Sequence, residues 1–350
     1  MKHQPIRGRG AADNPKHRFT DEKLEYDPDE KTGRLERPKT KILTDHTKEI
    51  ISTNQSPDIP FEVSLNPYRG CEHGCAYCYA RPSHEFLGMS AGLDFESKIV
   101  AKYNAPELLR EKLSGESWKP KPIVMSGVTD PYQPLEKELR ITRGCVEVLA
   151  ESLHPLVIIT KNYGVTRDID LLKKLAEVNA VRVVLSITSL DRDLIGSLEP
   201  RTSRPEKRLQ AVEELTRAGI PVHANIAPLI PGLTDDEIVP IMEAAKNAGA
   251  SSVSYTILRL PYSVKDIFLK WLDDHQPNRK QKVVNKVKSL KDGQLNRSEF
   301  GKRFHGEGAY GEQIRQLFSI HKKRLGLEGD RKPLNTSAFR RPSTAQLRLF

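Results

Sequence analysis

The sequence predicts an α/β fold: a partial (β/α)6 barrel of the TIM type, preceded by a polar segment and followed by a helical extension and a flexible tail. Three observations predict it. Between residues 61 and 275 short runs rich in Val, Ile and Leu alternate with amphipathic helical patterns, as a buried parallel sheet requires. The alternation repeats about six times, short of the eight units of a closed barrel. A cysteine-rich loop follows the first apolar run directly, at the end of a strand where α/β folds place their chemistry. A doubly wound sheet is the structural alternative, because βα alternation alone does not separate the two.

The elements follow in order. FEVSLNPY (61–68) reads as a strand running into the cysteine loop, and FESKIVAKY (95–103) as an extra strand. PELLREKL (106–113) opens a helix with proline at its start, where the missing N–H costs nothing. PIVMSGV (122–128) is a strand and TRGCVEVLAESL (142–153) a helix; PLVIITK (155–161) and DIDLLKKLAEVN (168–179) repeat the pair. VRVVLSITS (181–189) is followed by PEKRLQAVEELTRAG (205–219), a helix closed by Gly219. PVHANIAPLIPG (221–232) leads into TDDEIVPIMEAAKNAG, with Thr234 as N-cap and Gly249 as terminator. SSVSYTILRL (251–260) precedes the helix VKDIFLKWLDDH (264–275).

Composition divides the rest. The hydrophobic fraction of 37% is low for a chain folded throughout, so part of it must be polar tail. Residues 1–58 read as a polar, largely disordered segment, 59–275 as the barrel, 276–327 as a helical extension and 328–350 as a flexible tail. The extension could cap the barrel or form a separate surface. No apolar run approaches the roughly 18 residues a bilayer span needs, and the N-terminus lacks the apolar stretch of a secretory signal. A cytoplasmic protein with no membrane partner is therefore expected. A net charge of +10 favours polyanionic partners, with basic stretches at RKQKVVNKVKSLK (279–291) and IHKKRLGL (320–327).

Three of the four cysteines stand together as Cys71-x3-Cys75-x2-Cys78. Thiolates at that spacing can hold one metal centre while leaving a metal position without a protein ligand. Four cysteines are the usual ligands of a [4Fe–4S] cluster, so three imply an iron free to bind something else. A structural zinc site completed by His73 or His84 is the alternative, and would make the chain a non-enzymatic, zinc-stabilised nucleic-acid adaptor. Zinc sites more often show two CxxC pairs, and no second pair is present. Clustered thiols without a secretory signal also argue against disulfides.

The segment NPYRGCEHGCAYCYARP, with Tyr77 before the last cysteine and Tyr79 after it, resembles the signature of the radical S-adenosylmethionine (radical SAM) enzymes. With SGVTDPYQPLE, ITK, LEPRTSRPEKRL and APLIPG, it is similar over about residues 60–260 to the spore-photoproduct-lyase-like, or DNA-repair-photolyase-like, branch. An uncharacterised subgroup of that branch begins RGRGAADNPKHRF, as here. The resemblance implies the open (β/α)6 barrel, a cluster on Cys71, Cys75 and Cys78, and SAM chelated to the open iron. One-electron reduction, from a donor such as flavodoxin or ferredoxin, would yield a 5′-deoxyadenosyl radical. It further implies SAM contacts from Thr129 and Lys161, a ribose contact from Ser186, and catalytic aromatic positions at Tyr77 and Tyr79. Arg201, near Glu199, could pair with the SAM carboxylate or belong to a structural ion pair. Asp130, Tyr132 and Gln133, stiffened by Pro131 and Pro134, form a polar loop that contacts SAM or substrate, or is simply a well-made turn.

The sequence departs from the family at one point. Spore photoproduct lyase returns a hydrogen from a cysteine just before the segment equivalent to VTD, and Met125 to Asp130 here contain none. Cys145, some sixteen residues on, reads as a small buried apolar residue. The expected reaction is a radical one on DNA, lyase- or repair-like, with RNA or protein as alternative substrates. The last five residues resemble the pentapeptide by which bacterial polymerases and repair proteins dock on the DNA sliding clamp, through Gln346, Leu347, Leu349 and Phe350.

Overall fold

The computed structural model describes residues 6–21, 38–329 and 332–343. Its main sheet has seven strands in the order β10-β9-β8-β7-β6-β3-β2. These are β2 (Ile51–Thr53), β3 (Val63–Leu65), β6 (Ile123–Met125), β7 (Leu156–Thr160), β8 (Val181–Ser186), β9 (Val222–Leu229) and β10 (Ser252–Ile257). Six run parallel, and β2 alone is antiparallel, pairing with β3. Each new parallel strand is added on the same side of the last, with no reversal of order. A doubly wound sheet has such a reversal, so that alternative is excluded. The sheet instead curves as an open barrel whose edges are β2 and β10.

Each parallel strand, β3 included, lies within a predicted run. Their side chains are fully buried at Ile123, Leu156, Ile158, Val183, Leu185 and Ala224, and helices such as Ile169–Ala176 cover them with Leu171, Leu172 and Leu175. FESKIVAKY divides differently: Leu93–Ser97 is a short helix and Lys98–Ala101 forms β5. That strand joins β1 (Lys41–Thr44) and β4 (Tyr68–Arg69) in a separate three-stranded sheet beside the cysteine loop. Thr234 does not cap as predicted. Its hydroxyl accepts from the Ile230 N–H at 3.0 Å, and the helix starts later, at Ile238.

Residues 276–327 cap the barrel. Helices Pro277–Leu290 and Gly308–Arg324 contribute Leu290, Ile314 and Phe318 to the main core. Val283 and Val287 join a second apolar cluster containing Cys75, Ala76 and Tyr77.

Two polar stretches expected to be disordered are packed where they are described. Residues 6–21 lie over the cysteine loop: Ile6 and Ala11 are buried against Leu93 and Ile267, and Ala11 N–H donates to Glu96 at 2.8 Å. Residues 332–343 cross the opposite end, where the Asn335 and Arg340 amides donate to the Asn179 and Ser152 carbonyls. Polar composition fails as a guide here because both stretches are held by hydrogen bonds to distant backbone and buried charges rather than by apolar periodicity. Among the described residues no helix is long and apolar enough to cross a membrane. The pentapeptide carrying Gln346, Leu347, Leu349 and Phe350 lies outside the described residues.

Candidate active site

The cysteine loop leaves β3 at the C-terminal mouth of the barrel and is fastened from three sides. The Cys71 N–H donates to the Phe95 carbonyl at 2.9 Å and Ala76 N–H to Leu198 at 3.0 Å. Arg81, fully buried, grips the loop from within: Nε and Nη2 donate to the Cys75 carbonyl at 3.0 and 2.9 Å, and Nη1 to Ala91 and Gly92. Nη2 also pairs with the fully buried Glu96 at 2.5 Å. The other Glu96 oxygen accepts from Gly10 N–H at 3.1 Å. Gly10 stands so close that a Cβ there would meet the Gly74 carbonyl at 1.7 Å. None of Arg81, Glu96 and Gly10 is assigned a role by the sequence.

All three loop cysteines are free thiols, with Cys71 and Cys75 buried and Cys78 partly so. Burial pushes the Cys75 thiol well up and Cys78 up to about 11. Such thiols become thiolates only beside a compensating cation, which is what a cluster supplies. A zinc ion binds thiolates about 2.3 Å away, placing them roughly 3.8 Å apart. A four-iron cluster instead takes each thiolate on a different iron, and the donor set fits it. Of the histidines offered for zinc, His73 is engaged by other side chains, and His84 has both ring nitrogens without a hydrogen bond among the described residues. His73 has Nδ1 3.4 Å from Asp130 and Nε2 3.1 Å from Asn162. His84 is buried with its ring edge-on to Phe95.

The VTDPYQPLE loop braces the cysteine loop. Thr129, predicted as a SAM contact, donates its hydroxyl to the Gly70 carbonyl at 2.8 Å, so it positions the residue before Cys71. Gln133 accepts from the Glu72 N–H at 2.8 Å. Asp130 accepts from Thr160 at 2.7 Å and from the Lys161 N–H at 2.9 Å, and faces His73. Against the burial of both groups, this pairing holds Asp130 below the usual carboxylate range and, with Cys71, raises His73 to about 10. Arg201, read as a SAM-carboxylate partner or as part of a structural ion pair, has its Nη2 2.8 Å from Glu72.

Two of the other predicted residues, Lys161 and Tyr77, meet at one buried carboxylate. Lys161 Nζ is 3.3 Å from Glu199, 3.0 Å from Thr188 and 2.6 Å from the Ala227 carbonyl. Glu199 also accepts from Arg208, the Tyr77 hydroxyl and, at 2.6 Å, Thr188. Despite burial, Arg208 and Lys161 hold its carboxyl well below the usual range. Ser186 ends β8 with its carbonyl fixed by Arg208 at 3.0 Å, and its hydroxyl makes no hydrogen bond among the described residues. Tyr77 is buried, whereas Tyr79 is half-exposed and donates to the Gly127 carbonyl at 2.8 Å. Cys145 is fully buried in the core.

Residues 65–245, more than half the chain, match the Radical SAM superfamily. An uncharacterized protein of Mycobacterium tuberculosis is 31% identical over 277 residues, 79% of this chain and 78% of its own. An uncharacterized protein of Methanocaldococcus jannaschii is 33% identical over 202 residues, 57% of this chain and 72% of that one. The fold is shared with a spore photoproduct lyase variant with bound AdoMet and dinucleoside spore photoproduct, at a TM-score of 0.56 and 16% identity over 81% of this chain and 78% of that one. Members of the matched superfamily bind a [4Fe–4S] cluster and SAM. With its three-cysteine loop at the mouth of an open barrel, the chain belongs to the radical SAM superfamily.

Proposed function

We propose that this radical SAM enzyme directs its radical onto DNA, in a lyase- or repair-like reaction. The observation that carries the chemistry is the loop of three free thiols, Cys71, Cys75 and Cys78, fastened at the mouth of the barrel. Two features support the substrate. The net charge of +10 draws polyanions, and two of the spore photoproduct lyase structures that share this fold hold dinucleoside spore photoproduct.

Bound on the three thiolates, a [4Fe–4S] cluster with SAM supplies reductive cleavage to a 5′-deoxyadenosyl radical. The chain's own residues orient and shield that chemistry. Arg81 and Glu96 fix the loop backbone, and Val283, Val287 and Tyr77 exclude water from its inner side. Lys161 and the free hydroxyl of Ser186 are the groups we assign to SAM, with Thr129 and Arg201 positioning the loop that holds it. Tyr77 orients the Glu199–Lys161 pair. Tyr79, exposed beside the cysteine-free stretch at Gly127, is the aromatic group that meets substrate. Gln346, Leu347, Leu349 and Phe350 are assigned to docking on a bacterial sliding clamp, and a flavodoxin or ferredoxin to supplying the electron.

The test is anaerobic reconstitution with iron and sulfide, reduction, and assay of 5′-deoxyadenosine, with the Cys71→Ala, Cys75→Ala, Cys78→Ala triple variant alongside. Brown protein and cysteine-dependent release, stimulated by damaged DNA over RNA, is the expected result. Stimulation by RNA alone would overturn the substrate assignment. Colourless protein holding one zinc per chain, with SAM intact, would overturn the radical chemistry as well.

A further inference from the structure

The inner wall of the barrel is polar on one side and open to solvent. Closed eight-stranded barrels fill their interior with bulky apolar side chains. Here the residues that face the helices, such as Leu156, Ile158, Ala224 and Val253, are fully buried. Their inward-facing neighbours Val157, Ile159, His223, Asn225, Ser252 and Ser254 stay partly exposed. Successive residues of a strand point to opposite faces, so this alternation marks an unfilled lumen. Its two walls differ in chemistry. On β6 and β7 the wall is Val124, Val157 and Ile159. Across β8, β9 and β10 Ser186, Asn225 and Ser254 pair in one row, and His223 with Ser252 in the row beneath.

The two polar rows are wired together. The His223 ring nitrogens lie 2.7 Å from the Ser252 hydroxyl (Nδ1) and 2.6 Å from that of Ser254 (Nε2). Ser254 donates its proton to Asn225 Oδ1 at 3.1 Å. Burial, then the charges of Lys322 and Arg182, lower His223 to about 4, so the neutral ring carries one proton. Since Ser254 spends its own proton on Asn225, it accepts from Nε2–H, and Nδ1 accepts from Ser252. The chain of bonds fixes the Asn225 amide with its oxygen occupied. Both Nδ2 protons are left without an acceptor among the described residues, on a face that solvent reaches.

The place of this amide says what it meets. Thr160 pairs with Leu185, so Lys161 stands beside Ser186, and Asn225 is the next side chain along the same row. Lys161 and Ser186 are the groups assigned to SAM, and Asn225 continues the wall past them, away from the β3 end that carries the thiol loop. The wall from Ser186 to Ser252 is uncharged, which suits a neutral acceptor rather than a phosphate. A donor edge facing an apolar wall fits a flat heterocycle with a carbonyl on its rim. Enzymes that act on a base draw it out of its stack and read it by such hydrogen bonds. We propose that Asn225 reads a carbonyl of one nucleobase drawn into the lumen, with Ser254 and His223 as the positioning residues that hold its amide. That the base belongs to DNA rests on the function proposed above.

The test uses the reconstituted full chain with SAM and no reductant, so that nothing turns over. It compares the affinity of a labelled short oligothymidylate with that of an abasic strand of equal length, which keeps the phosphates and lacks the bases. Wild type should prefer the thymidine strand. Asn225→Asp keeps an acceptor for Ser254 and removes both donors, and should cut that preference roughly tenfold, the share of one hydrogen bond. Ser254→Ala frees the amide to turn and should cut it about threefold, which keeps the test decisive if Asn225→Asp folds poorly. Affinity for the abasic strand, and for SAM by equilibrium dialysis, should stay the same in both variants, as a general loss of structure would not allow. Equal binding of the two strands by wild type, or a preference that survives in both variants, overturns the assignment and leaves the DNA reading standing. Weaker SAM binding with the preference intact gives Asn225 to SAM and overturns it as well. If wild type binds neither strand, the DNA reading itself falls and the base site falls with it.

Discussion

Two polar straps cross the barrel at opposite ends, and they are held differently. Residues 6–21 lie over the C-terminal ends of the strands, where Gly10 and Ala11 donate to the buried Glu96 carboxylate. Glu96 in turn pairs with Arg81, which holds the Cys75 carbonyl. Residues 332–343 cross the turns that precede the strands: the Asn335 amide meets Asn179 at 2.8 Å, Arg340 meets Ser152 at 3.0 Å, and Phe339 packs edge-on to His154. In a (β/α) barrel the first end carries chemistry and the second carries stability. The difference teaches that a strap of unremarkable composition becomes part of a site when it shares a charge with the site's backbone.

The largest effect that sharpens this contrast is expected from Glu96→Gln. Both Glu96 and Arg81 are fully buried, so the change leaves a buried guanidinium unmatched, at a cost of about 3–5 kcal/mol. Iron retention after anaerobic desalting should collapse with stability. A variant that keeps its full iron content would show that strap and loop are not one unit. Gly10→Ala comes next. Its Cβ would meet the Gly74 carbonyl at 1.7 Å, so strap or loop must move, at about 1–3 kcal/mol. The expected signature is faster iron loss to a chelator and earlier proteolytic cleavage near residue 10. Phe339→Ala is the control from the other strap: it should lower the melting temperature and leave the chelation rate alone. Equal chelation rates in the two variants would erase the distinction.

How much of this was legible in the sequence follows from where each determinant lies. The cysteine loop could be read because cluster chemistry dictates residue type and spacing within eight positions, Cys71 to Cys78. The parallel strands could be read because a strand covered on both faces must be apolar along its length. The grip on the loop could not. Gly10 and Glu96 are 86 residues apart, and RGRGAADNP has the composition of a linker. Arg201 shows in the sequence as a cation past a strand end, but its choice of Glu72 depends on how two loops fold together. Lys291 ends a basic stretch that reads as solvated surface, yet it is the member turned inward.

The smallest effect at neutral pH separates the straps by acid. His154 is fully buried, with Nε2 accepting from the Trp118 Nε1–H at 3.2 Å, and burial pushes its pKa down to about 4 from an ordinary 6.5. The unfolded chain therefore takes up a proton between those values that the folded chain refuses. The stability His154 contributes is complete above about pH 6.5 and is lost as pH falls towards 4, at no more than about 1.4 kcal/mol per pH unit. His84 and His223, also lowered to about 4 by burial, act in the same direction, so the wild-type slope is a sum. His154→Gln keeps an acceptor for Trp118 and removes one share of that slope, measurable by urea unfolding at pH 7.5 and 5. Because Phe339 rests on His154, hydrogen exchange at pH 5 should quicken first at the Asn335 and Arg340 amides. The Gly10 and Ala11 amides, tied to Glu96, should stay protected. If all four open together, the two straps belong to one cooperative unit, and the division of the barrel into a site end and a stability end fails for this chain.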